Sequence, residues 1–197
     1  KKNNLQIAEN LYKEALKTNP NHFESIYYLG TLLAQTKRFD LAKPLLLKAI
    51  QIQPNYADAH NNLGNVLKEL GEHQKAISSY EKAIQINPNY ADAHYNLGNI
   101  LKKLGEHQKA ISSFEKAIQL QPNHSDVHNN LGVALQELGE HQKAISSFEK
   151  AIQINPNYAF AHNNLGLVFN QLGEHQKAIS SFEKAIQINP NYVLAYN

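Results

Sequence analysis

The sequence predicts an all-α protein built from repeated pairs of helices, and three observations lead to this fold class. The segment Ala57–Tyr90 returns at a fixed period, as Ala91–His124, Ser125–Tyr158 and Ala159–Tyr192. Each copy contains two stretches in which apolar or small residues are spaced by three and four, as on the buried face of a helix. Glycine and proline stand at fixed places between these stretches. Self-similarity at such a period is typical of a repeat array.

Two amphipathic helices are predicted in each copy. In Ala57–Tyr90 the apolar positions of the first helix are Ala59, Leu63, Val66, Leu67 and Leu70, and those of the second are Ala76, Ile77, Tyr80, Ala83, Ile84 and Ile86. Gly71 separates the helices, because glycine readily adopts the left-handed conformation that ends a helix. Asn87-Pro88-Asn89 ends the second helix, since proline disfavours helix in the residue before it.

A second glycine of each copy lies inside the first helix. Gly64 should cost about 1 kcal/mol relative to alanine at that place, so a packing reason is expected. We predict a close approach of the second helix, helped by the small residues Ala76 and Ala83. The nine glycines of the chain occupy only these two positions: Gly30, Gly64, Gly98, Gly132 and Gly166 inside first helices, and Gly71, Gly105, Gly139 and Gly173 at helix ends.

The starts of the first helices carry a capping-box pattern, in which an Asn precedes an acidic residue by three positions. It predicts reciprocal side-chain caps at Asn55/Asp58, Asn89/Asp92 and Asn123/Asp126. Phe160 replaces the acid in the last copy, so no box is expected there.

The remaining chain divides by the same register into one array, 1–197. Residues 1–22 match a second helix, 23–56 form a looser full repeat, and 57–90, 91–124, 125–158 and 159–192 are regular repeats, with 193–197 starting another. Pro44 of the looser repeat predicts a late start or a kink in its second helix, with Asp40 as the cap. Because both ends fall inside a repeat, we expect a longer protein.

These features resemble the tetratricopeptide repeat (TPR) family: Leu-Gly in the first helix, then Ala and an aromatic residue (Tyr80, Phe114, Phe148 or Phe182) in the second, then Pro. Histidine stands where the family often has aromatic residues, at His60 and His73 and their copies. The resemblance implies a right-handed superhelical solenoid of antiparallel helix pairs. It also implies a concave groove lined by first helices and a role as a protein–protein interaction scaffold.

One groove position is asparagine in every regular repeat: Asn62, Asn96, Asn130 and Asn164, here named the ladder asparagines. A carboxamide offers both an acceptor and donors, so it can pair with the backbone of an extended peptide. Helix spacing and strand rise give roughly three ligand residues per repeat and ten to twelve for all four. This ladder resembles that of the TPR arms of O-GlcNAc transferases, which grip extended polypeptide.

Neighbouring residues complete the predicted site. We expect Asn65 and Asn99 to support the ladder, and Asp58, Asp92, Asp126, Tyr95 and Phe160 to give selectivity. The competing interpretation is that asparagine is simply tolerated on an exposed helix face, and one duplicated ancestor would account for all four copies. A carboxylate clamp of the chaperone-binding TPR type is disfavoured, because Lys68, Lys102 and Lys103 lie at the wrong end of the helix.

Composition excludes several function classes. Cysteine is absent and the net charge is +2, with no basic stripe suited to nucleic acid. No membrane-spanning run and no signal-peptide-like start are visible, and a cytoplasmic location is predicted. We expect no cofactor, no metal and no catalytic residue. His124 and His128 have the spacing of a ligand pair, but histidine packing is the favoured interpretation.

The predicted function is therefore to bind an extended polypeptide, not to act as an enzyme. Two alternatives remain open. The array could be the non-catalytic recognition arm of a larger enzyme such as an O-GlcNAc-transferase-like glycosyltransferase. It could also be a structural solenoid that associates end to end, since uncapped repeats expose apolar helix faces. A consensus-like engineered array is disfavoured by the irregular repeat at 23–56.

Overall fold

The described part of the chain is helical throughout. The structure is a computed structural model that describes residues 2–190, with side chains from residue 4, and the predicted start of a further repeat at 193–197 lies outside it. The helices within this range are α1 Lys2–Thr18, α2 Phe23–Gln35, α3 Phe39–Ile52, α4 Ala57–Glu69, α5 His73–Ile86, α6 Ala91–Lys103, α7 His107–Leu120, α8 Ser125–Glu137, α9 His141–Ile154, α10 Ala159–Gln171 and α11 His175–Ile188.

The helices belong to two compact units, Lys1–Asn96 and Leu97–Asn197, whose boundary falls within α6. In the first unit, α1 to α5 pack on one another in chain order, and in the second α7 to α11 do the same. No helix within residues 2–190 has the length and apolarity needed to cross a lipid bilayer. The predicted all-α class and its succession of helix pairs are confirmed, while the grouping of all repeats into a single array stays a prediction.

Each tight turn between paired helices is closed by the same backbone motif. Gly71 adopts φ 77°, its N–H donates to Lys68 O at 3.1 Å, and the Glu72 N–H donates to Leu67 O at 2.9 Å. These are the two bonds of a Schellman motif, which satisfies the last carbonyls of a helix. Three further glycines repeat the conformation: Gly105, Gly139 and Gly173.

The core of each regular repeat is an aromatic ring seated on a glycine. The side chains of Tyr80, Phe114 and Phe148 are fully buried. A Cβ added to Gly64 would lie 2.5 Å from Cε1 of Tyr80, closer than carbon atoms can approach. The predicted close approach of the second helix is therefore confirmed, and its direct contact is the aromatic ring. Ala76 and Ala83 are also fully buried beside it.

The predicted capping boxes are wrong. Helix α4 begins at Ala57 and α8 at Ser125, so Tyr56 and His124 occupy the N-cap positions, and neither makes a side-chain cap hydrogen bond. The Asn of the predicted box lies in the preceding turn, just before the position that could cap. In the Asn87–Asn89 turn the asparagine that bonds locally is the first one, since Asn87 Oδ1 accepts from the Asn89 N–H at 3.1 Å.

For the looser repeat, the late start of the second helix and the cap at Asp40 are also wrong, while a kink at Pro44 stays a prediction. Helix α3 begins at Phe39, the position that His73 of α5 holds in the next repeat, so Pro44 lies inside a continuous helix that does not start late. Arg38 holds the N-cap position without a side-chain cap bond, and Asp40 lies in the first turn. The start is preserved because Lys37 adopts φ 60° and forms the same turn as Gly71, with the Arg38 N–H donating to Leu33 O at 2.8 Å.

Candidate functional site

The ladder asparagines occupy equivalent positions on α4, α6, α8 and α10, and all four are half-buried. Their side-chain N–H groups are engaged within the chain. In the first unit, Asn62 Nδ2 donates to the hydroxyls of Tyr27 at 3.0 Å and Thr31 at 3.2 Å, and Asn96 Nδ2 donates to Asn61 Oδ1 at 3.1 Å. Each bond joins a first helix to the first helix of the preceding repeat.

The second unit continues this pattern with different acceptors. Asn130 Nδ2 donates to Asn99 Oδ1 at 3.0 Å, and Asn164 Nδ2 donates to Asn129 Oδ1 at 3.0 Å. Asn130 Oδ1 also accepts from Lys102 Nζ at 2.8 Å. The ladder asparagines are thus bonded between successive repeats, which fixes the orientation of each carboxamide.

The two supporting asparagines also have partners inside the protein. Asn65 Oδ1 accepts a hydrogen bond from the Tyr80 hydroxyl at 2.9 Å, and Asn99 Oδ1 accepts from Asn130. Burial raises the pKa of Tyr80, so its hydroxyl stays protonated and keeps donating to Asn65. Asn65 therefore links the ladder face of α4 to the ring that packs on Gly64.

The predicted selectivity residues differ in exposure. Asp92 is exposed, while Asp126 and Tyr95 are half-buried. Phe160 is 54% exposed and its ring lies edge-on to Tyr158, with 6.1 Å between centroids. Phe160 is thus an exposed apolar residue among those predicted to give selectivity.

Asp58 acts on two neighbouring tyrosines. It is half-buried, and its negative charge helps to raise the pKa of both Tyr56 and Tyr90. Burial raises the pKa of Tyr90, and the negative charge of Asp58 raises it further, so the phenol stays neutral. Asn61 Nδ2 also points at the Tyr90 oxygen, at 3.5 Å. Tyr90 is therefore linked to the ladder through Asn61, and Asp58 acts on Tyr90 through its charge.

A cavity of about 490 Å³ opens between α2 and α4 in the first unit. Its lining includes the ladder asparagine Asn62 and the supporting Asn65, together with Thr31, Ala34, Val66 and Glu69. Asn62 lines this cavity, and among the described residues no hydrogen bond to its Oδ1 is found. The sequence placed the two asparagines on one face but gave no sign of the cavity beside them.

Four of the ten histidines make the same contact with the turn before their helix. Nε2 of His60, His94, His128 and His162 lies 2.9 to 3.1 Å from the carbonyl oxygen of the proline six residues earlier. Burial lowers the pKa of His128, which favours the neutral ring that donates to Pro122. Among the described residues, no three histidine or acidic side chains gather as a metal site would require.

Sequence reasoning missed the acceptors that receive the ladder bonds. Asn61 and Asn129 are buried, and each accepts from the ladder asparagine of the next repeat. Asn163 holds the equivalent position, and its Oδ1 is buried without a partner among the described residues. A usable signal existed, because an amide also stands next to three of the four ladder asparagines in the sequence.

Comparison with protein families agrees with this geometry. A family model described as "Tetratricopeptide repeat" matches residues 89–157 and 124–191, which together make up more than half of the chain. The chain belongs to the tetratricopeptide repeat family. Two more models of the same description match residues 45–78 and 1–57, and one described as "TPR repeat" matches 64–105.

Solved TPR structures resemble this chain along most of its length. YrrB, described as "a TPR protein with an unusual peptide-binding site", is 25% identical with a TM-score of 0.79, over 94% of this chain and 95% of YrrB. MamA is 29% identical with a TM-score of 0.78, over 84% and 96% of the two chains. Pseudomonas aeruginosa PilF is 25% identical with a TM-score of 0.79, over 88% and 79%. No curated protein matches the sequence.

These comparisons support a TPR interaction scaffold as the general role of the chain. None of the proteins just named is described as a transferase, so the specific likeness to O-GlcNAc transferases gains no support from them. The matched family models describe repeats and no catalytic domain. The structure brings Asn62 and Asn65 to one cavity in the first unit, and it bonds Asn130 to Asn99 in the second.

Proposed function

We propose that this TPR chain binds an extended segment of another protein along its first helices, with the ladder asparagines as hydrogen-bonding groups. The observation that carries the proposal is the open cavity of about 490 Å³ in the first unit, where Asn62 and Asn65 are both on the wall. Asn62 joins two repeats and also lines space that a ligand can occupy.

The contacts of the ladder suggest how it would meet a ligand. Asn62 Nδ2 is already bonded to Tyr27 and Thr31, so Oδ1 is the group left for a partner. Asn62 Oδ1 would accept a hydrogen bond from a backbone N–H of the bound segment. The sequence predicted that the carboxamide would both donate and accept, so this role is narrower. The internal bonds fix each carboxamide in advance, which reduces the entropy lost on binding.

Likeness to YrrB supports the same conclusion. YrrB is described as having a peptide-binding site, and the two chains align over more than nine-tenths of their lengths. The exposed Asp92 and the half-buried Asp58 and Asp126 would favour a ligand that carries basic groups. Phe160, more than half exposed on α10, would contact an apolar side chain.

The test is a screen of residues 1–197 against a library of extended peptides, with a variant that carries Ala at all four ladder positions in parallel. We expect the variant to lose at least tenfold in affinity for peptides that bind the parent protein, because it loses the acceptor of Asn62 and its counterparts, although that of Asn130 is already bonded to Lys102. Since the Ala variant also loses bonds between repeats, its helical content and unfolding midpoint are measured alongside.

The matched control changes four exposed serines of the second helices, Ser78, Ser112, Ser146 and Ser180, to Ala. Their hydroxyls lie away from the ladder, so peptide affinity should be unchanged. Equal affinity of the parent, the ladder variant and the serine variant would contradict the role of the asparagines.

Other results of these experiments would favour one of the two alternative functions. If nothing binds and the molar mass rises with concentration in light scattering, an end-to-end assembling solenoid is favoured. If the full reading frame contains a glycosyltransferase domain, the chain is a recognition arm. The predicted cytoplasmic location and the absence of catalysis are parts of the present proposal.

A further inference from the structure

The second unit shows how a lysine fits beside a ladder asparagine. Lys102 lies near the end of α6, and its Nζ donates to Asn130 Oδ1 at 2.8 Å. The same carboxamide donates through Nδ2 to Asn99 Oδ1 at 3.0 Å. Burial lowers the pKa of Lys102, while the negative charge of Glu137 opposes that shift and favours the ammonium form.

The first unit has the same arrangement without the lysine. Two repeats earlier, the equivalent positions of Asn130, Asn99 and Glu137 hold Asn62, Thr31 and Glu69. Asn62 Nδ2 donates to Thr31 Oγ1 at 3.2 Å, which matches the Asn130–Asn99 bond. The equivalent of Lys102 is Ala34. Its methyl group lines the open cavity, and the acceptor that Lys102 fills in the second unit has no donor at Asn62.

The other first helices carry a longer side chain at this position: Lys68 in α4, Gln136 in α8 and Asn170 in α10. Lys68 pairs with Glu69 at 3.2 Å, and Gln136 donates to Gln171 at 3.0 Å. The cavity at α2 therefore coincides with the one first helix that carries alanine there.

The walls of this cavity combine two kinds of surface. Ala34, Phe39 and Val66 are apolar lining residues, and Asn62 and Glu69 are lining residues that carry oxygen acceptors. A cavity lined by both kinds of residue suits a side chain with an aliphatic stem and a cationic end.

We propose that this cavity binds a lysine side chain of the bound polypeptide, placed as Lys102 is placed in the second unit. The ammonium donates to Asn62 Oδ1 and is attracted by Glu69, and the aliphatic stem packs on Ala34 and Val66. This inference rests on the proposed function in one respect only, namely that a polypeptide supplies the lysine. It names a basic residue as a determinant of partner choice.

Two lysines affect the charge balance of the site. Lys68 already pairs with Glu69 at 3.2 Å, so a bound ammonium would share that carboxylate. Lys37 is the second lysine. It lines the same cavity, its side chain is exposed, and its positive charge opposes a second ammonium. Replacing it by asparagine, which tolerates the left-handed φ of 60° at this residue, removes the charge and keeps the turn. The proposal therefore predicts that Lys37→Asn binds a lysine ligand more tightly than the parent protein.

The direct test uses N-acetyl-lysine N-methylamide and its norleucine analogue as probes, titrated into isotope-labelled protein and followed by NMR at the side-chain amides of Asn62 and Asn65. The lysine probe should bind about tenfold more tightly than the norleucine probe, as expected for one charge-assisted hydrogen bond. Because the probes are single residues, the result does not depend on whether extended peptides bind.

Two reciprocal variants sharpen this test. Ala34→Lys places the chain's own ammonium in the cavity and should abolish the response at Asn62, whereas Ala34→Ser keeps the cavity and should retain it. Lys102→Ala should create a second site that responds at Asn130. Equal shifts from both probes, or an unchanged response in Ala34→Lys, would overturn the lysine site and leave the polypeptide proposal standing. If the lysine probe binds but no extended peptide does, the lysine site stands and the polypeptide proposal is overturned.

Discussion

The looser repeat (residues 23–56) and the regular repeat that follows it (57–90) build the same backbone from different side chains. Their first helices, α2 and α4, are both 13 residues long, and their second helices, α3 and α5, are both 14. Both first helices end in a left-handed residue, Lys37 at φ 60° and Gly71 at φ 77°. The turn geometry is thus retained even where the residue that best suits it is absent.

The two repeats fill the space above their mid-helix glycines differently. Tyr80 packs on Gly64 so closely that an added Cβ would lie 2.5 Å from the ring, whereas at Gly30 the nearest atoms belong to Leu45 and Leu46, at 3.2 Å. Leu46 is fully buried in the position that Tyr80 occupies in the next repeat. Glycine is therefore needed at this position chiefly because the aromatic ring leaves no room for a Cβ, and less because the two helices pack closely.

Two ion pairs occupy equivalent positions between neighbouring repeats, but the acidic and the basic residue have exchanged places. Arg38 Nη2 lies 2.6 Å from Glu9 Oε2, and at the equivalent place one repeat later Glu72 Oε1 lies 2.6 Å from Lys43 Nζ. Both contacts join the start of one second helix to the preceding second helix. The comparison teaches that opposite charges can be exchanged between the two helices at this contact. The later repeats show that the contact does not require an ion pair, because the position of Lys43 is isoleucine in them (Ile77, Ile111 and Ile145).

The largest expected difference between the two repeats concerns the glycines. We expect Gly64→Ala to lower the free energy of unfolding by about 2 kcal/mol, because overpacking against a fully buried ring outweighs the gain of about 1 kcal/mol in helix propensity. Gly30→Ala should change it by less than about 1 kcal/mol, since the leucine side chains can shift. Urea unfolding of both variants measures the difference.

A second variant separates the ring from the helix contact. Tyr80→Leu gives the regular repeat the side chain of the looser one, and Gly64→Ala introduced in that background should have a much smaller effect than in the parent. If Gly64→Ala destabilises both backgrounds equally, then the ring is not the reason for the glycine.

Much of the fold was predictable because a fixed period repeats each local signal several times. The helix pairs, the left-handed ends and the close approach at Gly64 all depend on contacts within one repeat. The capping boxes failed for a physical reason. The Pro-Asn pair that precedes each first helix reads the same whether its asparagine caps the helix or lies in the turn before it, and at α4 the N-cap position falls on Tyr56 instead of Asn55.

The candidate site was less predictable because its partners come from different repeats. A ladder asparagine can be recognised from its period, but its acceptor lies in the preceding repeat and can be a tyrosine, a threonine or an asparagine. The cavity depends on a single small residue, Ala34, in a position that Lys102 fills elsewhere. The role proposed for this cavity follows from comparing the surroundings of Asn62 in the first unit with those of Asn130 in the second.

An intermediate effect is expected at the left-handed residues. Lys37→Gly should raise the free energy of unfolding by about 0.5 to 1 kcal/mol, because the relief of the left-handed strain exceeds the added chain entropy. Gly71→Lys should lower it by about 1 kcal/mol, since nothing lies within 4 Å of its Cβ and the loss is conformational only. Thermal unfolding checks both, and the same sign for both changes would contradict the shared turn geometry.

The smallest expected effect is the acid dependence of the Glu9–Arg38 pair. The hydrogen bonds from Arg38 and Lys13 lower the pKa of Glu9 from 4.5 to about 2. The folded state therefore gains stability from ionised Glu9 that is complete above pH 4.5 and is lost as the pH falls towards 2. Arg38 is partly exposed, so water screens the pair, and its contribution at pH 7 should be smaller than the effect of either glycine change.

A double-mutant cycle of Glu9→Gln and Arg38→Gln isolates this pair from the rest of the interface. The coupling energy should be measurable at pH 7 and strongly reduced at pH 2, because protonated Glu9 no longer attracts Arg38. The equivalent cycle at Lys43 and Glu72 should behave alike despite the reversed charges, since the hydrogen bond from Lys43 lowers the pKa of Glu72 as well. A coupling that keeps its full size at pH 2 in either cycle would mean that packing of the side-chain stems, rather than charge, joins the two second helices.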